Sequence, residues 1–270
     1  MSELRSAIAG CKSIGLVPTM GALHEGHLEL MRRARDENEL VVVSLFVNPT
    51  QFGPNEDFTK YPRQEGVDVS LAESVGVDII FAPPVEEVYP LRLVTISVAE
   101  ITSLFEGAVR PGHFAGVATV VGKLFHMCQP HRAYFGLKDL QQCAVIQAMV
   151  TDLWLPIELK FVEIVRESHG LARSSRNEYL NPEDRQKAGA IYATLVDCAA
   201  AIQRTKSSSI ELEKARIKLT SQGFGVDYLE LVNPDSMQPI DQPDEKSRLI
   251  VCARLGGVRL LDNISCAITN

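Results

Sequence analysis

Leu40 to Val47 is a nearly continuous apolar run rich in valine, the pattern of a strand covered on both faces, as in a parallel sheet. Around it, short apolar runs alternate with stretches of helical period. Residues 2–12 read as a short amphipathic helix and 14–18 as a first strand. A helix over 25–36 follows, with Leu28, Met31 and Ala34 on one face. Beyond the valine-rich run come a polar loop over 50–62, a helix over 65–75, and a buried strand over 77–82 closed by Pro83-Pro84. This β-α-β-α-β order predicts a doubly wound α/β sheet with right-handed crossovers. Thr95–Val98 reads as a further strand. Val117, Val120, Val121, Leu124, Phe125 and Cys128 then recur at helical spacing. A strand over 133–135 ending at Gly136, a helix over 138–153 and a strand over 157–162 complete the pattern.

Past a polar, basic loop over 170–176 the character of the chain changes. Asn181-Pro182-Glu183-Asp184 is a helix start, with a capping Asn, Pro at the first helical position and acids in the first turn. That helix is expected to reach 203, and another to span 208–223 from a Ser208/Glu211 capping box. Runs over 226–232, 248–253 and 258–261 predict a small sheet. The expected fold is α/β: a Rossmann-like doubly wound parallel sheet over 1–176, with a smaller C-terminal α+β domain over 177–270. There is no internal repeat and no low-complexity tract.

Apolar residues make up 46% of the 270-residue chain and charged residues 23%, the balance of an ordinary soluble globular protein. A formal charge of −7 argues against a dedicated binder of nucleic acid or anionic membrane, whose footprint would be basic. A local anion pocket stays compatible with it. No apolar run approaches the ~20 residues of a membrane helix, and the N-terminus lacks a signal-peptide pattern. The six cysteines are scattered without metal-ligand spacing, so reduced thiols and a cytoplasmic location are expected.

In open parallel sheets, ligands bind at the carboxyl ends of the strands. After the first strand comes Met20-Gly21-Ala22-Leu23-His24-Glu25-Gly26-His27, a glycine-punctuated turn into a helix. Helix N–H groups and the positive end of the helix dipole favour phosphate there. Two imidazoles flanking Gly26 add donors, and Gly26 lets a flat group approach the backbone. The other strand ends deliver Asn48 and Gln51; Gly136, Lys138, Asp139, Gln141 and Gln142; and Arg166 with Arg173-Ser174-Ser175-Arg176. Alone, each is ambiguous. Lys138-Asp139 reads equally as a solvated pair or a phosphate contact, Ser174-Ser175-Arg176 equally as a helix-cap approach or a triphosphate contact, and Gln51 and Gln142 as ordinary glutamines. Four strand ends together predict a nucleotide site. His113 reads as a loop organiser, and His126, His131 and His169 as structural or exposed. No Walker-type loop is present.

With these residues assembled, the chain resembles the pantoate–β-alanine ligase family. That family belongs to the nucleotidyltransferase superfamily with a His-x-Gly-His motif. The resemblance runs through residues 17–27, Phe46–Gly53, Arg110–Phe114 with Gly116-Val117, Tyr134–Gln142, and Ser174–Asn177. It implies condensation of pantoate with β-alanine by way of an adenylate made from ATP. It further implies that Met20–His27, Gly136, Leu137, Lys138, Asp139, Val165, Arg173, Ser174, Ser175 and Arg176 line the ATP site. Gln51 and Gln142 would hold pantoate, and Gln51 would also face β-alanine. His24, His27, Lys138 and Arg176 would act on the phosphates, His27 being the family's usual proton donor. Mg²⁺ is expected on the triphosphate without a dedicated carboxylate cage, and a homodimer is a family expectation. The chain departs from the family pattern in a short connection after Tyr89-Pro90, in Ala115, and in Arg173. None of these removes a proposed catalytic group.

Overall fold

The computed structural model describes residues 1–54, 56 and 58–268. The chain divides into two compact units, the first comprising Met1–Gly136 and Val145–Val162, the second Leu137–Ala144 and the chain from Glu163 onward.

In the first unit, helix α1 (Ser2–Ile8) leads to β1 (Ile14–Thr19), α2 (Glu25–Glu37), β2 (Leu40–Leu45), α3 (Glu65–Ser74) and β3 (Ile79–Phe81). Short helices α4 (Val85–Val88) and α5 (Phe105–Val109) precede α6 (His113–Cys128) and β4 (Arg132–Gly136). Helix α7 (Leu140–Asp152) straddles the division between units, and β5 (Glu158–Val162) completes the sheet. The five strands are parallel in the order β3-β2-β1-β4-β5. The order reverses between β1 and β4, so their carboxyl ends flank the topological switch point, where such sheets take ligands. Leu16, Val17, Val41, Val42 and Val43 are wholly buried, which explains why these strands read as continuous apolar runs rather than alternating ones. Gly15 of β1 lies where a Cβ would sit 2.6 Å from the Asn38 amide nitrogen. That close approach lets Asn38 Nδ2 donate to Tyr134 Oη at 2.7 Å inside the core.

The second unit holds α8 (Pro182–Lys187), α9 (Ala190–Thr205), α10 (Ser209–Ser221) and three antiparallel strands, β6 (Gly225–Val232), β7 (Arg248–Leu255) and β8 (Val258–Ser265), in that order across the sheet. Leu195, Ile202, Leu219, Leu229, Leu231 and Leu249 form its wholly buried centre. Residues 163–176 group with this unit because Arg166 grips Asp262 of β8 with two bonds of 2.7 and 2.9 Å, and Arg185 pairs with Glu167 at 2.7 Å. Residues 163–176, like Leu137–Ala144, thus lie in the second unit, whereas the expected boundary at 176 put them in the first.

The doubly wound parallel sheet and the smaller α+β unit agree with expectation, and several elements do not. Thr95–Val98 forms no strand. Ile96 N donates to Thr119 Oγ1 at 2.8 Å, and its Cδ1 occupies the space a Cβ on Gly122 would need, so the segment docks on α6 instead of extending a ladder. The helix expected over 182–203 is two, broken at Ala188-Gly189. A Cβ on Gly189 would lie 2.3 Å from the His169 carbonyl oxygen, a close backbone approach that a continuous side-chain-bearing helix would not allow. Helix 2–12 stops at Ile8, and α4 and α5 arise in stretches whose turn residues mask short helices. Among the described residues, no helix is long and apolar enough to cross a membrane.

Candidate active site

The turn after β1 is fixed from both ends. Thr19 Oγ1 donates to the Ser44 carbonyl at 2.7 Å and accepts from Gly21 N at 3.2 Å. Gly21 and Ala22 then take left-handed conformations, with φ of 81° and 51°. Helix α2 starts at Glu25 with His24 as its N-cap, and the cap is made by imidazoles rather than by the usual hydroxyl or carboxylate. His24 Nδ1 accepts from Gly26 N at 3.1 Å, and His27 Nδ1 accepts from His24 N at 3.3 Å, a reciprocal capping box. A backbone N–H can only donate, so in each neutral ring Nδ1 is the acceptor and Nε2 carries the hydrogen. The ring centroids are 4.0 Å apart. The fold has thus set two Nε2–H donors side by side at a helix N-terminus. Glu25 is turned to another task, accepting from Arg32 at 2.7 Å on the exposed face.

The β2 end is built from neutral groups. Asn48 Oδ1 accepts from Thr50 N at 3.3 Å and from Tyr89 Oη at 2.8 Å, while Asn48 Nδ2 donates to the Gly116 carbonyl at 3.1 Å. Those backbone partners settle which way the Asn48 amide points. Asn48 Nδ2 also donates to Gln51 Oε1 at 2.9 Å, so the buried Gln51 amide is oriented in turn, its Nε2 lying 3.2 Å from Met20 Sδ. Helix α6 comes close enough to do this because Gly116 lacks a Cβ, which would sit 2.4 Å from the Thr50 carbonyl. His113 completes the set. Its Nε2 faces the donor Arg110 Nη1 at 3.0 Å, so Nε2 accepts and Nδ1–H donates to the Gln51 carbonyl at 2.8 Å. Burial, reinforced by the charge of Arg110, lowers the His113 pKa to about 4, leaving the ring neutral at pH 7. Arg110 is itself paired with Glu56, whose carboxyl it holds below the ordinary range.

In the second unit, Leu137–Asp139 form a 3₁₀ turn. Asn263 Nδ2 on β8 donates to the Leu137 and Lys138 carbonyls at 2.7 and 3.3 Å, and Arg248 Nε donates to Asn263 Oδ1 at 2.8 Å, so the small sheet holds the lysine-bearing turn. Lys138 Nζ lies 3.0 Å from Asp139 Oδ2. Arg173 N donates to the Val165 carbonyl at 2.9 Å, which places these two residues on paired backbones, and Arg173 Nε is buried without a hydrogen-bond partner among the described residues. Ser174 caps the 3₁₀ turn Ser175–Tyr179, its Oγ accepting from Arg176 N at 3.3 Å. Gln142 is half-buried in the first turn of α7, beside the buried Gln141.

Within the first unit the structure brings together Met20, the imidazole turn and Gln51, with Gly136 at the neighbouring strand end. Within the second it brings together Leu137–Asp139, and separately Val165 and Arg173–Arg176. Among the residues not singled out from sequence are Asp68, which bonds to the turn after β1 at 2.8 and 2.9 Å, and Asn263. Nothing local marks either, because each acts on a segment far away in the chain. His131 and His169 serve the backbone, His131 Nδ1 accepting from Ile14 N and His169 Nε2 bonding to the Arg185 carbonyl. A hollow of about 760 Å³ beside His169, Lys187 and Gln222 includes none of the candidate residues.

The family model for pantoate-beta-alanine ligase matches residues 1–265. The pantothenate synthetase of Exiguobacterium sibiricum is 46% identical over 264 residues, covering 98% of this chain and 96% of that protein. That of Acinetobacter baumannii is 50% identical over 270 residues, covering 99% and 95%. The crystal structure of pantothenate synthetase from Thermus thermophilus superposes with a TM-score of 0.95 at 47% identity, covering 99% of this chain and 98% of that one. Pantoate-beta-alanine ligase from Francisella tularensis, complexed with beta-gamma ATP and beta-alanine, gives a TM-score of 0.82 at 36% identity, covering 98% and 95%. With a paired-imidazole cap at the switch point of its parallel sheet and a match over nearly its whole length, the chain belongs to the pantoate-β-alanine ligase family.

Proposed function

We propose that this protein condenses (R)-pantoate with β-alanine at the expense of ATP, giving pantothenate, AMP and pyrophosphate through pantoyl adenylate. The observation that carries the reading is the reciprocal His24–His27 cap, which commits both rings to Nε2–H donors at a helix N-terminus. A carboxylate is already ionised at neutral pH and needs no base to act as nucleophile. The first step, attack of the pantoate carboxylate on the α-phosphorus, therefore calls for positioning and charge stabilisation. His24 and His27 supply hydrogen bonds to the phosphoryl oxygens as they gain charge. His27 is also the family's expected proton donor. Lys138 and Arg176, with Ser174 and Ser175, hold the β- and γ-phosphates and stabilise the departing pyrophosphate. The buried, unpartnered Nε of Arg173 is consistent with an anion completing its bonding. In the second step the β-alanine amine attacks the activated carbonyl and AMP leaves.

Gln51 and Gln142 orient pantoate. The Asn48 lock fixes Gln51 Nε2 as the donor end of the amide; with one N–H on Met20 Sδ, the other suits a hydroxyl or carboxylate. Mg²⁺ would enter with the triphosphate, held through phosphate oxygens and water, with Asp139 the residue suited to reach it through water. Bound there, it would neutralise charge on the phosphates. The C-terminal unit acts as a lid that keeps water from the adenylate. The protein works as a cytoplasmic homodimer; the exposed apolar run Leu91, Leu93 and Val94 supports self-association, which sedimentation at several concentrations would measure. The function is tested by mixing ATP, Mg²⁺, pantoate and β-alanine and following AMP with each component omitted in turn. AMP that requires both acids supports it. A dinucleotide formed from a phosphate acceptor, or no turnover, would refute it.

A further inference from the structure

The turn that carries both histidines is not self-supporting. Gly21 is at ease at a φ of 81°, but Ala22 holds 51°, a left-handed conformation that a Cβ disfavours. The brace for Ala22 comes from another element. Asp68, in the first turn of α3, is only 2% exposed. Its Oδ2 accepts from Ala22 N at 2.9 Å and its Oδ1 from Leu23 N at 2.8 Å. The carboxylate does not cap its own helix. It fills the space against Gly21 as well, where an added Cβ would lie 2.9 Å from Oδ2. A side chain here would collide with the brace, so the carboxylate needs a glycine at position 21.

We propose that Asp68 is a positioning residue for the phosphate chemistry: by clamping two successive backbone N–H groups, it fixes the left-handed bend and so the placement of the His24 and His27 rings. The inference rests on the role given to those histidines above. Asp68 contacts no reacting atom in this scheme; both its oxygens are engaged by the backbone. Its effect passes through the geometry of the turn, for which small displacements are costly. A shift of about 1 Å in a catalytic group commonly costs on the order of 100-fold in rate.

Asp68→Asn is the informative substitution. The amide keeps one acceptor oxygen but turns an NH₂ toward the second backbone N–H, so half of the clamp becomes repulsive. The rate of pantoate-dependent pyrophosphate release is measured in wild type, Asp68→Asn, His27→Ala and the double variant, alongside thermal melts. The expected result is a roughly 10- to 100-fold fall in kcat for Asp68→Asn, with the KM for β-alanine little changed and a cooperative melt retained. In the His27→Ala background the same substitution should cost several-fold less, because one of the two rings it positions is gone. Equal losses in both backgrounds, an unchanged rate, or an Asp68→Asn protein that fails to fold would overturn the proposal in favour of general structural support. If His27→Ala alone keeps the wild-type rate, the role of the histidines falls instead, and the single-variant data separate the two failures.

Discussion

The two strand ends of the first unit to which the proposed reaction assigns chemistry are built on opposite principles. After β1 a carboxylate, two left-handed residues and a pair of imidazoles make a turn rich in aimed donors. After β2 the groups are amides, hydroxyls and a neutral imidazole, chained by bonds whose direction the backbone dictates. The difference matches what each end handles in the proposed reaction. A phosphoryl group that gains charge is best met by preorganised donors and a helix dipole. A small hydroxy acid is best recognised by amides that reject analogues lacking its hydroxyls, since a buried amide left unpaired is costly. In the second unit the backbone of the turn that bears Lys138, the proposed phosphate-binding lysine, is held from β8 by Asn263, so a neutral amide braces that turn too.

The contrast can be broken at several points. The largest effect is expected at His27→Ala, about 100- to 1,000-fold in pantoate-dependent pyrophosphate release, the usual loss for one transition-state donor; a near wild-type rate would remove the turn from the chemistry. Next is pH. His113 has a folded pKa of about 4 against an ordinary value of 6.5, so the unfolded chain binds a proton first as pH falls. Stability should therefore drop as pH falls from about 6.5 toward 4, by on the order of 3 kcal/mol at most. Denaturant titrations should show this, and His113→Asn should flatten that part of the profile. A profile unaltered by the substitution would show that another group dominates.

Asn48→Ala should raise the pantoate KM about 10-fold while sparing the ATP KM, since it frees the Gln51 amide to turn. A defect confined to ATP would undo the division of labour between the two strand ends. Smallest is Asn263→Ala, expected to raise the ATP KM a few-fold, in line with the loss of one or two hydrogen bonds of about 1 kcal/mol each; no change would mean that the Lys138 turn holds without β8.

What could be read from the sequence and what could not divide along the same physical line. The parallel sheet was legible because Leu40–Val47 is apolar on both faces, and the imidazole turn because strand, glycines and helix are contiguous. The resemblance then supplied roles that spacing alone left open for Lys138, Ser174 and Gln51. Thr95–Val98 misled because its alternation fits a strand and a segment docked on a helix equally; only the space beside Gly122 decides. The break at Ala188-Gly189 depends on a carbonyl well back in the chain, at His169. Asp68 was invisible for the same reason: an aspartate in a helix's first turn reads as dipole matching, and its partners lie at Ala22 and Leu23. Local propensity reports the elements, while the braces that aim them are long-range contacts.

The most direct test of the chemistry uses pantoate labelled with ¹⁸O in both carboxylate oxygens. If that carboxylate attacks the α-phosphorus, one labelled oxygen leaves with AMP and the other stays in the new amide, which mass spectrometry of both products would show. AMP free of label, formed together with pantothenate, would contradict an adenylate route and with it the role assigned to the histidine turn.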